Sequence, residues 1–323
     1  MRVYDLILIF VALFITSCSS NNDSDASDTT DIRYKVLLDS EGDIVFIGDQ
    51  TNKVMKKIFA PTNAFNIFGY YNKTETNELF YLTRDDFFSG YKINRVDLNE
   101  SFNSEEYTYT VQQSDINFDS NDLPLSGAFF ESENRFHIMV ASSGFDAKLK
   151  TFDNGIEVLE RNITETFGID RYSIEAHKFF GNSQTLMLME GVFNSSLNRI
   201  KLIDINTFSL ISENTNTSFN FFEGFGNSEV QYLIGRKEIN FVVHEYLTDI
   251  QGNIIYDITD GYLFLGRSSI GFDEAEGAFE FFDRGDGRNE TGTINVTNGE
   301  LIKRAIDGEP NFRNSPVFYF TPN

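Results

Sequence analysis

Few residues of this 323-residue chain have the types and spacing that chemistry needs. His137 lies in FHIMV and His244 in FVVHEY, alternating stretches that read as strand, and His177 is the third histidine. No His-Glu-x-x-His pair occurs, and Cys18 is the only cysteine, so a cysteine zinc site is excluded. There is no Gly-x-Ser-x-Gly elbow and no Gly-rich phosphate loop. What remains is four short segments that set charge beside an aromatic or basic group: Arg84-Asp85-Asp86-Phe87-Phe88, Ser142-Ser143-Gly144-Phe145, Glu190-Gly191-Val192-Phe193 and Arg236-Lys237-Glu238. Aromatic rings beside arginine suit a binding surface. Arg84, Asp86, Phe87, Phe145, Glu190, Phe193 and Arg236 are therefore the candidate ligand-binding residues. Asp86 and Glu190 are also the carboxylates that glycan hydrolysis or lyase chemistry would use, although no spacing marks them as a pair. The turn Asp283-Arg284-Gly285-Asp286-Gly287-Arg288 and Asp85-Asp86 offer oxygen ligands for Ca²⁺, without the alternating spacing of an EF-hand loop. The expectation is a chain with no resident cofactor and no catalytic residue.

The elements that must position these residues begin after an unusual N-terminus. Residues 6–15, LILIFVALFI, are apolar throughout, too short for a spanning helix but suited to the h-region of a signal peptide. Ile15-Thr16-Ser17-Cys18 follows. This stretch resembles the lipobox of bacterial lipoproteins. The resemblance implies cleavage before Cys18, lipidation of its thiol, and a mature chain without free thiol or disulfide. Residues 1–17 would then be the signal peptide. Residues 18–31 hold four Asp and no basic residue, a composition that cannot bury enough surface to fold and reads as a flexible acidic tether. The expected location is the cell envelope, anchored to the outer membrane through the lipid, on its periplasmic side or at the cell surface.

Residues 32–323 read as an all-β repeat. Ile203-Asp204-Ile205-Asn206-Thr207-Phe208-Ser209-Leu210-Ile211 aligns without gaps on Ile294-Asn295-Val296-Thr297-Asn298-Gly299-Glu300-Leu301-Ile302, each a strand, a polar turn and a second strand. Looser copies surround Asp49, Asp97, Asp153 and Asp249, so the anchors recur 45 to 56 residues apart. A period of this length with four strands per unit is the signature of propeller blades. The first unit lacks an opening strand, and SPVFYFTP at the C-terminus is one strand too many. The expectation is a β-propeller of six four-stranded blades, closed by the C-terminal strand. The sixth unit is the least regular, with residues 270–290 read as an insertion before its hairpin. The strand-end Asp, with Thr or Gly in the turn, resembles bacterial propeller repeats of the YVTN kind. Asp97, Asp204 and Asp249 are read as structural turn residues that accept hydrogen bonds from turn amides.

In a propeller the turns between second and third strands share one face with the crossovers between blades, and the four candidate segments fall in those turns. With 49 acidic against 26 basic residues and a net charge of −23, nucleic acid and anionic lipid are excluded as partners. The expected function is a lipid-anchored, monomeric envelope propeller that binds a ligand or protein through this face, as in an outer-membrane uptake or assembly system. The alternatives are an envelope glycan hydrolase or lyase with carboxylates over the central channel, and a structural adhesion module.

Overall fold

In the computed structural model the residues described are 32–323 apart from 39–41, 62–66, 85–89, 107, 126, 170–173, 181–183, 192–197, 217–218, 227–230, 259–266, 274–275, 284–289 and 308–316. The lipobox, Cys18 and the acidic tether, together with Asp85, Asp86, Phe87 and Phe193, lie outside them. Residues Arg33–Asn323 form one compact unit.

Most apolar runs become antiparallel strands paired with a chain neighbour. Sheet 1 contains β1 (Tyr34–Leu38), β2 (Ile44–Gly48) and β3 (Val54–Ile58). Sheet 2 contains β4 (Ile67–Lys73), β5 (Glu78–Arg84), β6 (Tyr91–Asp97) and β7 (Gln112–Ile116). The chain then makes two short strands, β8 (Asp122–Pro124) and β9 (Gly127–Ala128), before sheet 3: β10 (Phe130–Ser132), β11 (Arg135–Ser142), β12 (Ala147–Asp153) and β13 (Ile156–Asn162). Sheet 4 holds β14 (Ile174–Phe180), β15 (Thr185–Gly191), β16 (Asn198–Asp204) and β17 (Ser209–Asn216). Sheet 5 holds β18 (Asn220–Gly226), β19 (Gln231–Ile239), β20 (Val242–Asp249) and β21 (Ile254–Asp257). Sheet 6 holds β22 (Arg267–Asp273), β23 (Ala278–Asp283), β24 (Glu290–Asn295) and β25 (Leu301–Ala305). The last strand, β26 (Phe318–Phe320), returns to sheet 1 and pairs antiparallel with β1, Phe320 opposite Tyr34 and Phe318 opposite Val36. It supplies the strand that the first unit lacks.

The sheets do not match the uniform four-stranded plan. Sheets 2 and 3 each have five strands. GAFFESEN, which reads as one strand, is divided: β9 leaves sheet 3 and pairs in parallel with β4, while β8 pairs with β11 beyond β10. Residues 270–283 are not an insertion, because they supply most of β22 and β23, the first two strands of sheet 6. The strands around Asp97 pair as expected, β6 with β7, but the tight turn between them is replaced by a longer connection with helix α1 (Leu98–Asn103), whose N-cap Asp97 accepts from Glu100 N at 3.0 Å. A second short helix, α2 (Ile163–Phe167), is capped in the same way by Asn162.

The middle strands are buried on both faces, which is why YKVLL and IVFIG read as continuous apolar runs rather than alternating ones. One apolar core lies between each pair of successive sheets. Val36 and Phe46 of sheet 1 meet Leu79 and Val96 of sheet 2. Phe80 and Ile93 meet Ile138 and Phe152 of sheet 3. Met139 and Leu149 meet Leu186 and Ile203 of sheet 4. Met187 and Ile200 meet Leu233 and Tyr246 of sheet 5. Ile234 and Leu247 meet Ile294 of sheet 6. Leu37, Val45 and Ile47 of sheet 1 then meet Ile306, just past β25, and Val317, just before β26. Sheets packed face to face in a closed succession make a β-propeller, and closure leaves no sheet face bare. The repeat anchors all mark the end of the third strand of a sheet. Asp204 Oδ1 accepts from Thr207 N at 2.7 Å, Asp249 Oδ1 from Asn253 N at 2.8 Å, and Asn295 Oδ1 from Thr297 N at 2.8 Å.

Candidate functional site

Because the four strands of each sheet alternate in direction, the turns between second and third strands emerge at one end. The crossovers between sheets emerge there too. Four of the candidate residues are described, one in each of sheets 2 to 5.

Arg84 is the last residue of β5. Its guanidinium lies 5.5 Å from the ring centroid of Tyr91, the first residue of β6. Tyr91 is edge-on to Phe118 at 4.9 Å, and Phe118 edge-on to the buried Phe152 at 5.2 Å. Arg84 thus caps an aromatic series that runs from the face into the core between sheets 2 and 3. Burial raises the Tyr91 phenol pKa, and Arg84 opposes that rise.

Phe145 sits in the tight turn after β11. Its N–H donates to Ser142 O at 3.1 Å, while Ser142 N donates to Asp146 O at 2.9 Å. Its φ is +72°, and its side chain is 55% exposed. A bulky residue with left-handed backbone is strained.

Glu190 and Arg236 do not lie in turns. Glu190 is inside β15 and buried, with Lys201 Nζ at 3.7 Å and Arg199 Nε at 3.9 Å. Arg236 is inside β19, and its Nε donates to Glu245 Oε1 at 3.0 Å, with Glu245 fully buried. The strands run past these charges because each charge finds its counter-ion on the adjacent strand, which offsets the cost of burying it. The turn of sheet 5 is Asn240-Phe241, with Ile239 directly opposite Val242. The described contacts of Arg84 (the Tyr91 ring), Glu190 (Lys201 and Arg199) and Arg236 (Glu245) each lie within the residue's own sheet.

Two features of this region are not visible in the sequence. The first is Lys150 on β12, whose side chain is fully buried. Its Nζ lies 2.6 Å from Asp122, 2.7 Å from Glu157, 3.1 Å from Asp119 and 3.2 Å from Glu160. Burial alone would lower its pKa, but hydrogen bonds to Asp122, Glu157, Asp119 and Glu160 outweigh it and raise the pKa. Asp119, Glu157 and Glu160 are exposed and present carboxylate oxygens within 4.8 Å of one another, the one grouping among the described residues able to hold a metal. The Lys150 ammonium lies against all three carboxylates and offsets part of their charge. The signal was unreadable because AKLKTFD looks like a strand with solvated lysines, and Asp119 lies 31 residues away. The second feature is Phe241, which the charge run at 236–238 concealed. The Ca²⁺ candidates at Asp85-Asp86 and in 284–289 fall outside the described residues.

No protein-family profile matches the chain, and no curated protein matches it in sequence. Solved structures do match in shape. A chain of a nidogen–laminin complex is similar over 90% of this chain and all of that one, with a TM-score of 0.58 and 8% identity. TolB from Acinetobacter baumannii is similar over 91% of this chain and 68% of its own, with a TM-score of 0.56 and 13% identity. Hydrazine synthase from Kuenenia stuttgartiensis is similar over 87% of both chains, with a TM-score of 0.51 and 11% identity. At such identities the likeness concerns the fold alone, and that fold is the β-propeller.

Proposed function

We propose that this chain is a lipid-anchored propeller of the cell envelope, with each of its six sheets serving as one blade, that binds a partner through its turn face without catalysis. One observation carries the reading. Below that face the buried carboxylates Glu190 and Glu245 have Lys201, Arg199 and Arg236 as counter-ions, while Phe145, in the turn itself, is 55% exposed. Acid–base chemistry needs carboxylates free to exchange protons near the operating pH. Ion-paired carboxylates serve structure, whereas an outward aromatic serves contact. Among the described residues no helix is long and apolar enough to cross a membrane, so attachment in this reading rests on lipidated Cys18.

Two measurements test the proposal. A thermal-shift screen of the purified chain against metals, siderophores, glycans and peptides should return a ligand whose stabilisation drops in Phe145→Ser, Phe87→Ala or Phe193→Ala. Stabilisation unchanged in all three would remove the face from consideration. Cys18→Ser should move the protein from the membrane to the soluble fraction, and continued membrane association would remove the anchor.

A further inference from the structure

Phe241 is 95% exposed, the highest value among the large apolar side chains described. It is the second residue of the two-residue turn between β19 and β20, with φ +53° at Asn240 and +64° at Phe241. A two-residue turn with both residues left-handed favours glycine second, because only glycine adopts that backbone without steric cost. Phenylalanine there is unfavourable twice over, through backbone strain and through an apolar ring left in water.

Phe208 shows how this protein treats the same conformation when it serves structure. Its φ is +53°, but its ring lies under the Arg161 guanidinium at 5.2 Å and edge-on to Phe167 at 5.1 Å. In the aligned unit the equivalent position is Gly299, at φ +71°. Phe208 is therefore a glycine position filled by a ring that packs. Phe241 is a glycine position filled by a ring that stands in solvent. Its flanks continue the apolar surface, with Ile239 at 38% and Val242 at 53% exposure. Both lie on the hairpin face that carries Lys237 over Phe219 at 6.0 Å and His244 stacked on Tyr246.

We infer that the Ile239–Val242 tip is a docking knob for another protein, one that offers an apolar socket rimmed by Lys and Arg. The inference rests on the reading of this face as a binding surface and names the partner's chemistry. A convex aromatic tip suits a concave pocket, and a central aromatic anchor is the commonest source of interface energy. The tip is flanked by charges of both signs, Lys237 beside Glu238, while the chain's net charge of −23 steers a basic partner toward it and disfavours a second copy of this chain and an anionic bilayer.

The test places p-benzoylphenylalanine at 241 in the full-length protein, in the cells that make it, with Ile254 on the outer strand β21 as the control position. The expected result is an adduct with one protein at 241 and not at 254. That protein, purified, should bind the wild-type chain with an affinity that falls as salt is raised and drops about tenfold or more in Phe241→Gly. Phe241→Gly should itself melt at or above the wild-type temperature, because glycine relaxes the turn. A homodimer-sized adduct, labelling of lipid alone, no adduct above the control, undiminished binding by Phe241→Gly, or a lower melting temperature would each overturn the inference. Binding that depends on Phe145 but not on Phe241 would overturn the knob alone. Dependence on Phe241 but not on Phe145, Phe87 or Phe193 would overturn only the site named above.

Discussion

Strand β1 has two neighbours and treats them differently. Tyr34, Val36 and Leu38 point toward sheet 2 into an apolar core with Phe46, Leu79, Val96 and Phe320. Lys35, with Arg33 just before the strand, points toward sheet 6 into a charged network. Lys35 Nζ lies 2.6 Å from Glu280 and 3.5 Å from Asp49, with Lys35 and Glu280 both buried. Arg33 donates through Nε to Asp49 at 2.7 Å and is held by Asp273 at 2.5 Å, while its guanidinium lies 4.8 Å from the Tyr319 ring centroid. The Tyr319 hydroxyl donates to Glu280 at 2.9 Å. The first boundary joins segments contiguous in the chain. The second is the seam, where residues some 240 positions apart must find one another without a covalent link. An apolar face fixes which side chains turn inward, and the seam adds named polar partners to that. Its ion pairs join β1 to sheet 6, and β26 enters the network through Tyr319, which is the lesson of the comparison.

The largest effect should come from breaking the seam on one side. Lys35→Met leaves Glu280 buried without its cation and should cost about 3–5 kcal/mol in denaturant unfolding. Adding Glu280→Leu should restore most of that loss, since a well-packed apolar pair avoids the desolvation penalty. A Lys35→Met variant as stable as wild type would show that the seam is not held by this pair. On the other face of the same strand, Leu38→Ala should cost about 2–5 kcal/mol through a cavity, with no second-site change of charge able to repair it.

Acidification separates two of these boundaries by sign. At the seam, burial raises the Glu280 pKa above the usual carboxylate value, with Lys35 opposing. A carboxyl raised in the folded state holds its proton longer there than when unfolded. Its contribution to stability is therefore full at low pH and declines as pH rises above about 4.5. At the boundary of sheets 3 and 4, His137 lies stacked on Phe130 and hydrogen-bonded to Thr151 Oγ1 at 3.0 Å. Burial first, then Arg161 and Arg135, lower its pKa to about 4. Unfolding releases a group that takes up a proton below its ordinary value of 6.5, so stability is lost as pH falls from 6.5 toward 4. The full linkage amounts to about 3 kcal/mol at most. His137→Phe should flatten the profile across that window, and Glu280→Gln should flatten the opposing slope above 4.5. A profile unmoved by either substitution would refute the assignment.

What the sequence discloses follows from what strands and turns need locally. The spacing of the strand-end Asp and Asn residues is legible because each must serve a turn amide within a few residues. The absent first strand and surplus last strand are legible because a sheet cannot leave an inner edge open. Lys35 and Lys150 are not, because their partners arrive from other segments and a lone lysine in a strand looks solvated. Glu190 and Arg236 were placed in turns for the same reason: charges read as loop when their cross-strand partners are unseen. The division of GAFFESEN between two sheets left no local mark, since both halves remain extended. Phe241 was missed because alternation alone does not show that an aromatic occupies a glycine position.

The smallest effect bears on the anchors themselves. Asp204 keeps its carboxylate below the usual range because Thr207 N donates to it. Asp204→Ala should therefore cost about 1 kcal/mol, the net value of one such hydrogen bond. Asp204→Asn, which copies Asn295 of the aligned unit, should cost only a few tenths, since the amide oxygen still accepts. The carboxylate's advantage is present above its usual range and is lost as pH falls through its lowered value, so wild type and Asp204→Asn should converge in acid. Asp49 occupies the same position in sheet 1, but its carboxylate reaches Arg33 and Lys35. If the seam recruits this anchor to hold register, Asp49→Asn should cost clearly more than Asp204→Asn and should lose protection from hydrogen exchange first at β26. Equal costs at the two positions, with β26 protected as before, would reduce Asp49 to one more turn residue and leave closure to the Lys35–Glu280 pair.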